Sequence, residues 1–345
     1  MEITQVGVDL AKNVFQLNGV DRTGKTVWKR TLSRVKWIKE LTKHVKPGAT
    51  IGMEACTGAH HWGRILLEKG YQVKIIPPQF VTPFVKSNKN DLNDAQAICE
   101  AMNRPNMHPV QIKSIEQQDL QALHRIREEI KSHRVAKVNH IRGLVSEYGL
   151  VAPQKIPSLR KAIINWLDDS NNGLSSYFKQ LLQDLWQDLC YLDQRMEELD
   201  YQVQEVADNH PMANKLQQLR GIGPITATAI IATIGDGKQY RNGRDMAAAI
   251  GLVPRQHSSG GKSRLLKISK RGDSYLRCLL VHGGRSVMRT VKNKEDRLSC
   301  WVKKLQQRRH HNVVAVAIAN KLARTAWALM TKEEDYDPNY SYKVC

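Results

Sequence analysis

The first hundred or so residues alternate between two hydrophobic periods, and this constrains the fold more than any other feature. Residues 3–8 form a short apolar run ending at Asp9, and Val14–Val20 follows. The polar turn Asp21-Arg22-Thr23-Gly24-Lys25 then leads into a strand over residues 26–30. Apolar runs joined by a short Gly-containing turn predict a three-strand meander. Beyond it, Val35, Ile38, Leu41 and Val45 recur at helical spacing, Thr50–Glu54 reads as a strand, residues 62–69 as a helix, residues 71–76 as a strand and Asp91–Met102 as a helix. Strands separated by helices need crossover connections, so the expectation is an α/β unit whose sheet is mixed and carries helices on both faces.

The order βββαβαβα matches a ribonuclease-H-like domain, expected over residues 1–106. Residues 107–212 change character. Leu123, Ile126, Ile130, Val138, Ile141, Val145 and Tyr148 sit mostly three or four apart, and Pro153 and Pro157 break that helix. A second seam runs through Phe178, Leu181, Leu185, Leu189, Leu192, Met196, Leu199, Val203 and Val206. Residues 178–206 hold seven acids against Lys179 and Arg195. An acidic helix repels nucleic acid, so this reads as a coiled-coil or antiparallel arm holding protein, or as a plain intramolecular helix pair. Residues 213–331 form a mainly helical third unit, and residues 332–345 a polar tail.

Four carboxylates stand where strand and helix ends would gather them: Asp9, Glu54, Asp91 and Asp94. The last two are three apart, hence on one helix face. Clustered carboxylates are hard oxygen donors suited to Mg2+, and paired divalent ions can clamp both oxygens of a phosphodiester displacement. Taken singly, each acid also has an ordinary reading as a strand end, a helix cap or a surface residue.

The third unit carries the charge. The chain has a net charge of +20, and residues 251–330 hold 18 Lys/Arg against Asp273, Glu295 and Asp296. So local an excess points to a polyanion, nucleic acid first. The run Leu219-Arg220-Gly221-Ile222-Gly223-Pro224 reads as a helix-hairpin-helix, whose Gly221 and Gly223 would let backbone amides grip a phosphate without reading sequence. Further on, Ser258-Ser259-Gly260-Gly261 lies among Lys262, Arg264, Lys267, Lys270, Arg271 and Arg277. On composition alone this is a phosphate-binding loop. The six cysteines make no C-x-x-C pair, which favours a reducing cytosol over a disulfide or zinc framework. No apolar run is read as a membrane span.

Together, Asp…Glu…Asp-x-x-Asp, the Gly-Ile-Gly turn and the Gly251-Leu252-Val253-Pro254-Arg255-Gln256-His257-Ser258-Ser259-Gly260-Gly261 segment resemble the one-ten family of insertion-sequence transposases, closest to its eleven-eleven subgroup, with Piv-type DNA invertases as relatives. The resemblance spans residues 1 to about 330. It implies a RuvC-like N-terminal domain, a coiled-coil arm and a C-terminal transposase domain. It also implies Mg2+ on Asp9, Glu54, Asp91 and Asp94, and a nucleophilic serine before a glycine, mapping to Ser259 ahead of Ser258. The expected partners are donor and target DNA, a noncoding bridge RNA and further copies of the chain, in a bacterial cytoplasm at the nucleoid. The rival expectations are a RuvC-like junction nuclease using water and a non-enzymatic helix-hairpin-helix DNA-binding protein.

Overall fold

A computed structural model describes residues 2–85, 91–105, 107, 109–152, 154–332 and 336–337, without the side chains of Asp91, Leu92 and Ser263. Pro153 and most of the tail lie outside the described residues. The chain divides into two compact units, Met1–Ser114 and Ile115–Cys345.

In the first unit, β1 (Gln5–Leu10), β2 (Val14–Val20) and β3 (Thr26–Ser33) make the expected antiparallel meander. It is followed by α1 (Trp37–His44), β4 (Thr50–Glu54), α2 (Ala59–Glu68) and β5 (Gln72–Ile76). The sheet order is β3-β2-β1-β4-β5, with β4 parallel to both β1 and β5. Strand β1 does not stop at Asp9. It continues to Leu10 because the ladder with β2 goes on pairing, Asp9 with Gln16 and Leu10 with Phe15. A short helix α3 (Pro78–Val81) and a 3₁₀ turn (Thr82–Phe84) precede α4 (Asp91–Met102).

Strand alternation splits the sheet residues between two faces. Val6, Val8, Phe15, Leu17, Ile51 and Met53 pack with Trp37 and Leu41 of α1 and Trp62 and Leu66 of α2. The rings of Phe15, Trp37 and Trp62 meet edge-on, with centroids 5.0–5.6 Å apart. The opposite face is covered by Ile98, Cys99 and Met102 of α4.

The second unit opens with α5 (Ile115–Ser146), α6 (Ile156–Asp168) and α7 (Ser176–Asn209). Helices α5 and α7 run antiparallel. Arg127 bonds Asp200 at 2.6 Å, Arg134 bonds Asp193 at 2.5 Å, and Lys137 bonds Asp188 at 2.7 Å, descending α7 as α5 ascends. Part of the acidity of α7 is thus neutralised within the chain, and the seam is intramolecular. Its register differs from the sequence expectation at particular positions. Leu182 is fully buried while Leu181 is exposed, and Ile126 and Tyr148 are exposed. On α5 the buried positions near the helix start include His124 and Arg127, polar residues that a hydrophobic count passes over. Helix α6 was not expected. Pro157 sits in its first turn, where a missing N–H costs nothing, so the proline that ends one helix also begins the next.

The rest of the unit comprises α8 (Pro211–Gln217), α9 (Pro224–Ile234), α10 (Gly243–Ala249), a hairpin of β6 (Pro254–Ser259) and β7 (Lys262–Ile268), then α11 (Ser274–Thr290), α12 (Arg297–Gln306) and α13 (His311–Thr331). Contrary to the sequence reading, α13 is long and apolar enough to cross a membrane by length and composition. It is the central core helix here, burying Val314, Ile318, Leu322 and Ala326 among Leu276, Leu280, Val287 and Ile230. A glycine of α11 lets the two helices approach closely: a Cβ at Gly284 would stand 2.4 Å from the Ala315 carbonyl oxygen.

Candidate active site

Two glycines set the carboxylate geometry of the first unit. A Cβ on Gly7 would lie 2.1 Å from the Ala95 carbonyl oxygen, and one on Gly52 would lie 2.9 Å from Met102 Cε. Both positions therefore face α4, and only hydrogen there lets the helix settle on the sheet. Residues two further along a strand share its face, so Asp9 and Glu54 face α4 as well. The parallel register pairs Val8 with Met53, which brings Asp9 and Glu54 to adjacent positions at the strand ends. Asn103, just past α4, donates to Gln5 Oε1 at 2.7 Å, so α4 runs antiparallel to β1. Its N-terminal turns, with Asp91 and Asp94, lie toward the Asp9 end.

The electrostatics agree with this placement. The Cys56 thiol is pushed up to about 11, by burial first and then by the charges of Glu54 and Asp9. Among the described residues, no three His, Cys, Asp or Glu side chains close into a metal-binding group. The Asp91 side chain lies outside the description. Asp9, Glu54 and Asp94 therefore lie toward one end of the sheet without converging on a common point, while their oxygens are the hard donor type that a divalent cation takes.

In the second unit the serine segment is a β-hairpin, which the sequence reading took for a loop. Ser259 pairs with Lys262 across the two-residue turn Gly260-Gly261, whose φ angles are 56° and 75°. Positive φ at both central positions is the type I′ turn, which matches strand twist and strongly favours glycine. Directly paired residues share a face, so Ser259, Lys262, His257 and Arg264 lie together. Ser258 is on the other face, where its hydroxyl accepts a 2.7 Å bond from Gln256 Nε2.

The hairpin base is clamped. A Cβ at Gly251 would meet the Arg271 carbonyl oxygen at 2.3 Å, and one at Gly272 would meet that of Ala249 at 1.9 Å. Lys270 holds a left-handed φ of 55° in the same crossing. Nη1 of Arg277 donates to the carbonyls of Ile250 and Arg271, both at 2.9 Å. That guanidinium positions the hairpin base, while Lys262, Arg264, Lys267, Lys270 and Arg271 are exposed.

The two glycines of the Gly-Ile-Gly turn between α8 and α9 differ. Gly221, at φ 100°, packs against α11, where a Cβ would be 2.8 Å from the Gly283 carbonyl oxygen. Gly223 caps α9 and has open space at its Cβ position. Next to them Arg220 bonds Asp296 at 3.1 Å and Ser299 at 2.9 Å, tying the turn to α12.

Sequence reasoning missed His124. It is buried, with Nε2 3.0 Å from Thr228 Oγ1 and Nδ1 3.0 Å from the Tyr275 hydroxyl. The Thr228 hydroxyl also contacts the Pro224 carbonyl at 2.8 Å. Donation by Thr228 to that carbonyl leaves its oxygen to accept from His124, which then accepts from Tyr275. The relay joins α5, α9 and α11. It had no motif to announce it.

Comparison with known proteins gives these features their setting. Residues 6–150 match a DEDD-type domain described as a transposase, a type that works with a divalent cation, and residues 213–299 match the Transposase IS116/IS110/IS902 family. The chain is 45% identical to a probable family 20 transposase of Pseudomonas aeruginosa, over 98% of this chain and 100% of that protein. It is 43% identical to the transposase for insertion sequence element IS1111A of Coxiella burnetii, over 97% of this chain and 92% of that one. It is also similar to the pilin gene-inverting protein of Moraxella lacunata, at 24% identity over 98% of each chain. These matches make it an enzyme that cleaves and transfers DNA strands, and the chain belongs to the IS116/IS110/IS902 family of insertion-sequence transposases.

Proposed function

We propose that the chain moves its insertion sequence by cutting and rejoining DNA through a phosphoserine link at Ser259. The observation that carries this reading is the hairpin register: Ser259 shares a face with Lys262 and Arg264, whereas the Ser258 hydroxyl is engaged by Gln256 on the other side. Lys262, Arg264, Lys267, Lys270 and Arg271 neutralise the phosphate as the backbone approaches through Gly260 and Gly261. The open side of Gly223 and the amides of α9 hold a neighbouring phosphate. The Ser259 hydroxyl loses its proton, Oγ bonds to phosphorus, and the bond from phosphorus to the sugar oxygen breaks. One phosphate ester replaces another, so rejoining needs no ATP.

Asp9, Glu54, Asp91 and Asp94 would hold Mg2+ in a ribonuclease-H-like first unit, and when bound the ion supplies polarisation of the scissile phosphate. Several copies act together, since recombination must hold two duplexes. A noncoding bridge RNA made by the element selects the site, because the grips described above address backbone phosphate and read no bases. The setting is the bacterial cytoplasm. The test is Ser259→Ala beside Ser258→Ala, with the protein purified from cells carrying the whole element. The covalent protein–DNA product is lost in the first and kept in the second. Loss in the second alone moves the nucleophile by one residue, loss in neither moves it to another side chain, and no covalent product even in the unmodified protein makes water the nucleophile.

A further inference from the structure

The proton of Ser259 needs an acceptor, and one group on the hairpin is placed to take it. Lysine and arginine side chains are hydrogen-bond donors without acceptor capacity, which sets Lys262, Arg264 and Arg255 aside. His257 lies two residues before Ser259 on β6 and points to the same face, since the ladder pairs His257 with Arg264 and Ser259 with Lys262 without interruption between them. The register shift in this hairpin falls earlier, between Pro254 and Gln256. Alternate residues of a strand stand about 6.7 Å apart. An imidazole turned along the strand can reach across that gap to within hydrogen-bond distance of a serine Oγ on the same face. Both residues are exposed, so DNA can reach the pair. The charged groups on the face of His257 are Arg264 and Lys262 across the ladder, while Arg255 lies in the bulge and contacts the Ser269 carbonyl.

We infer that His257 is the general base that deprotonates Ser259, which rests on the reading of Ser259 as nucleophile. An imidazole is the side chain whose ordinary pKa suits proton transfer near neutral pH. As Oγ bonds to phosphorus, an imidazole nitrogen takes the hydroxyl proton, and the departing sugar oxygen takes one from solvent. In the reverse step the sugar hydroxyl attacks phosphorus and loses its proton to solvent, Oγ departs, and the imidazolium returns the proton to it. The two half-reactions balance, and the resting enzyme is regenerated.

The experiment measures single-turnover adduct formation on a supercoiled plasmid carrying the element's ends, with protein purified from cells expressing the whole element. Wild-type rate falls on acidification, as a step that needs an unprotonated base requires. His257→Gln loses that limb and is slower by about a hundredfold at neutral pH. Free imidazole restores part of its rate. His257→Lys supplies a cation but no proton acceptor, and is as slow as His257→Gln. Wild-type rates in His257→Gln, or full activity in His257→Lys, would overturn the inference, the latter reducing His257 to a phosphate contact. Ser259→Ala separates the two levels: an adduct persisting there removes the nucleophile reading itself, whatever His257 does.

Discussion

The approach of α4 to Gly7 of β1 yields the sharpest structural prediction. Gly7→Ala would put a methyl group 2.1 Å from the Ala95 carbonyl oxygen and 2.9 Å from Cys99 Sγ. The first neighbour is backbone in mid-helix and cannot rotate away. Helix α4 has to rise by about 1 Å to restore ordinary contact, and overpacking of this kind costs about 1–3 kcal/mol. Because Asp94 precedes Ala95 directly, the same movement shifts it away from Asp9 and Glu54. Gly52→Ala is the control. Its methyl meets Met102 Cε at 2.9 Å, the end of a flexible side chain that can repack, and Ile98 Cγ2 at 3.0 Å, where a shift of a few tenths of an ångström is enough. The loss there stays within about 1 kcal/mol, partly offset by the conformational gain of replacing glycine in a strand. Hydrogen exchange of the α4 amides and DNA cleavage are the two readouts. Gly7→Ala should lose α4 protection and cleavage together, and Gly52→Ala should keep both. Native α4 protection and native cleavage in Gly7→Ala would refute the account of how the carboxylate edge is built.

Further outcomes follow from the same structure. Asp9→Asn, Glu54→Gln, Asp91→Ala and Asp94→Ala each abolish strand cleavage while nucleic-acid binding persists, and a divalent chelator mimics them; full cleavage in excess chelator contradicts the metal assignment. Arg277→Ala removes two 2.9 Å bonds at the hairpin base, lowering stability by about 2 kcal/mol and slowing adduct formation more than it weakens DNA binding, as filter binding would separate. Burial lowers His124 and His60 to about 4, so both rings stay neutral in the folded chain. Stability from them is complete above the unfolded value near 6.5 and is lost as pH falls toward 4, because the unfolded chain takes up the proton first. His124→Gln should flatten that acid limb in denaturant titrations at several pH values. Nucleic-acid affinity should fall steeply between low and physiological salt, given the basic excess of residues 251–330.

The α/β unit was legible because its strands are short and its periods change cleanly at each boundary. Strand β2, strand β4 and helix α4 fall where the pattern puts them. Asp9 and Glu54 were legible as strand-end acids, but the reason they face α4 was not, since it rests on glycines two residues earlier. Glycine inside a strand is the signal for a close backbone approach, and Gly7 and Gly52 carry it. The arm register slipped by one at Leu181 because Leu181-Leu182 offers two apolar neighbours, and tertiary packing chooses between them. The serine hairpin carried a readable mark, Gly-Gly between two short runs, but those runs are polar and exposed and lack apolar alternation. The His124 relay was illegible, because its partners Thr228 and Tyr275 lie more than a hundred residues away.

The central claim is a covalent bond between Ser259 and DNA. It is tested by denaturing the reaction mid-course, digesting the DNA to nucleotides and the protein to peptides, and weighing the hairpin peptide. The account predicts a phosphonucleotide carried by Ser259 and no solvent oxygen in the cleaved ends when the reaction runs in 18O-labelled water. An unmodified hairpin peptide together with labelled phosphate ends would contradict it, making the chain's carboxylates a site for hydrolysis by water.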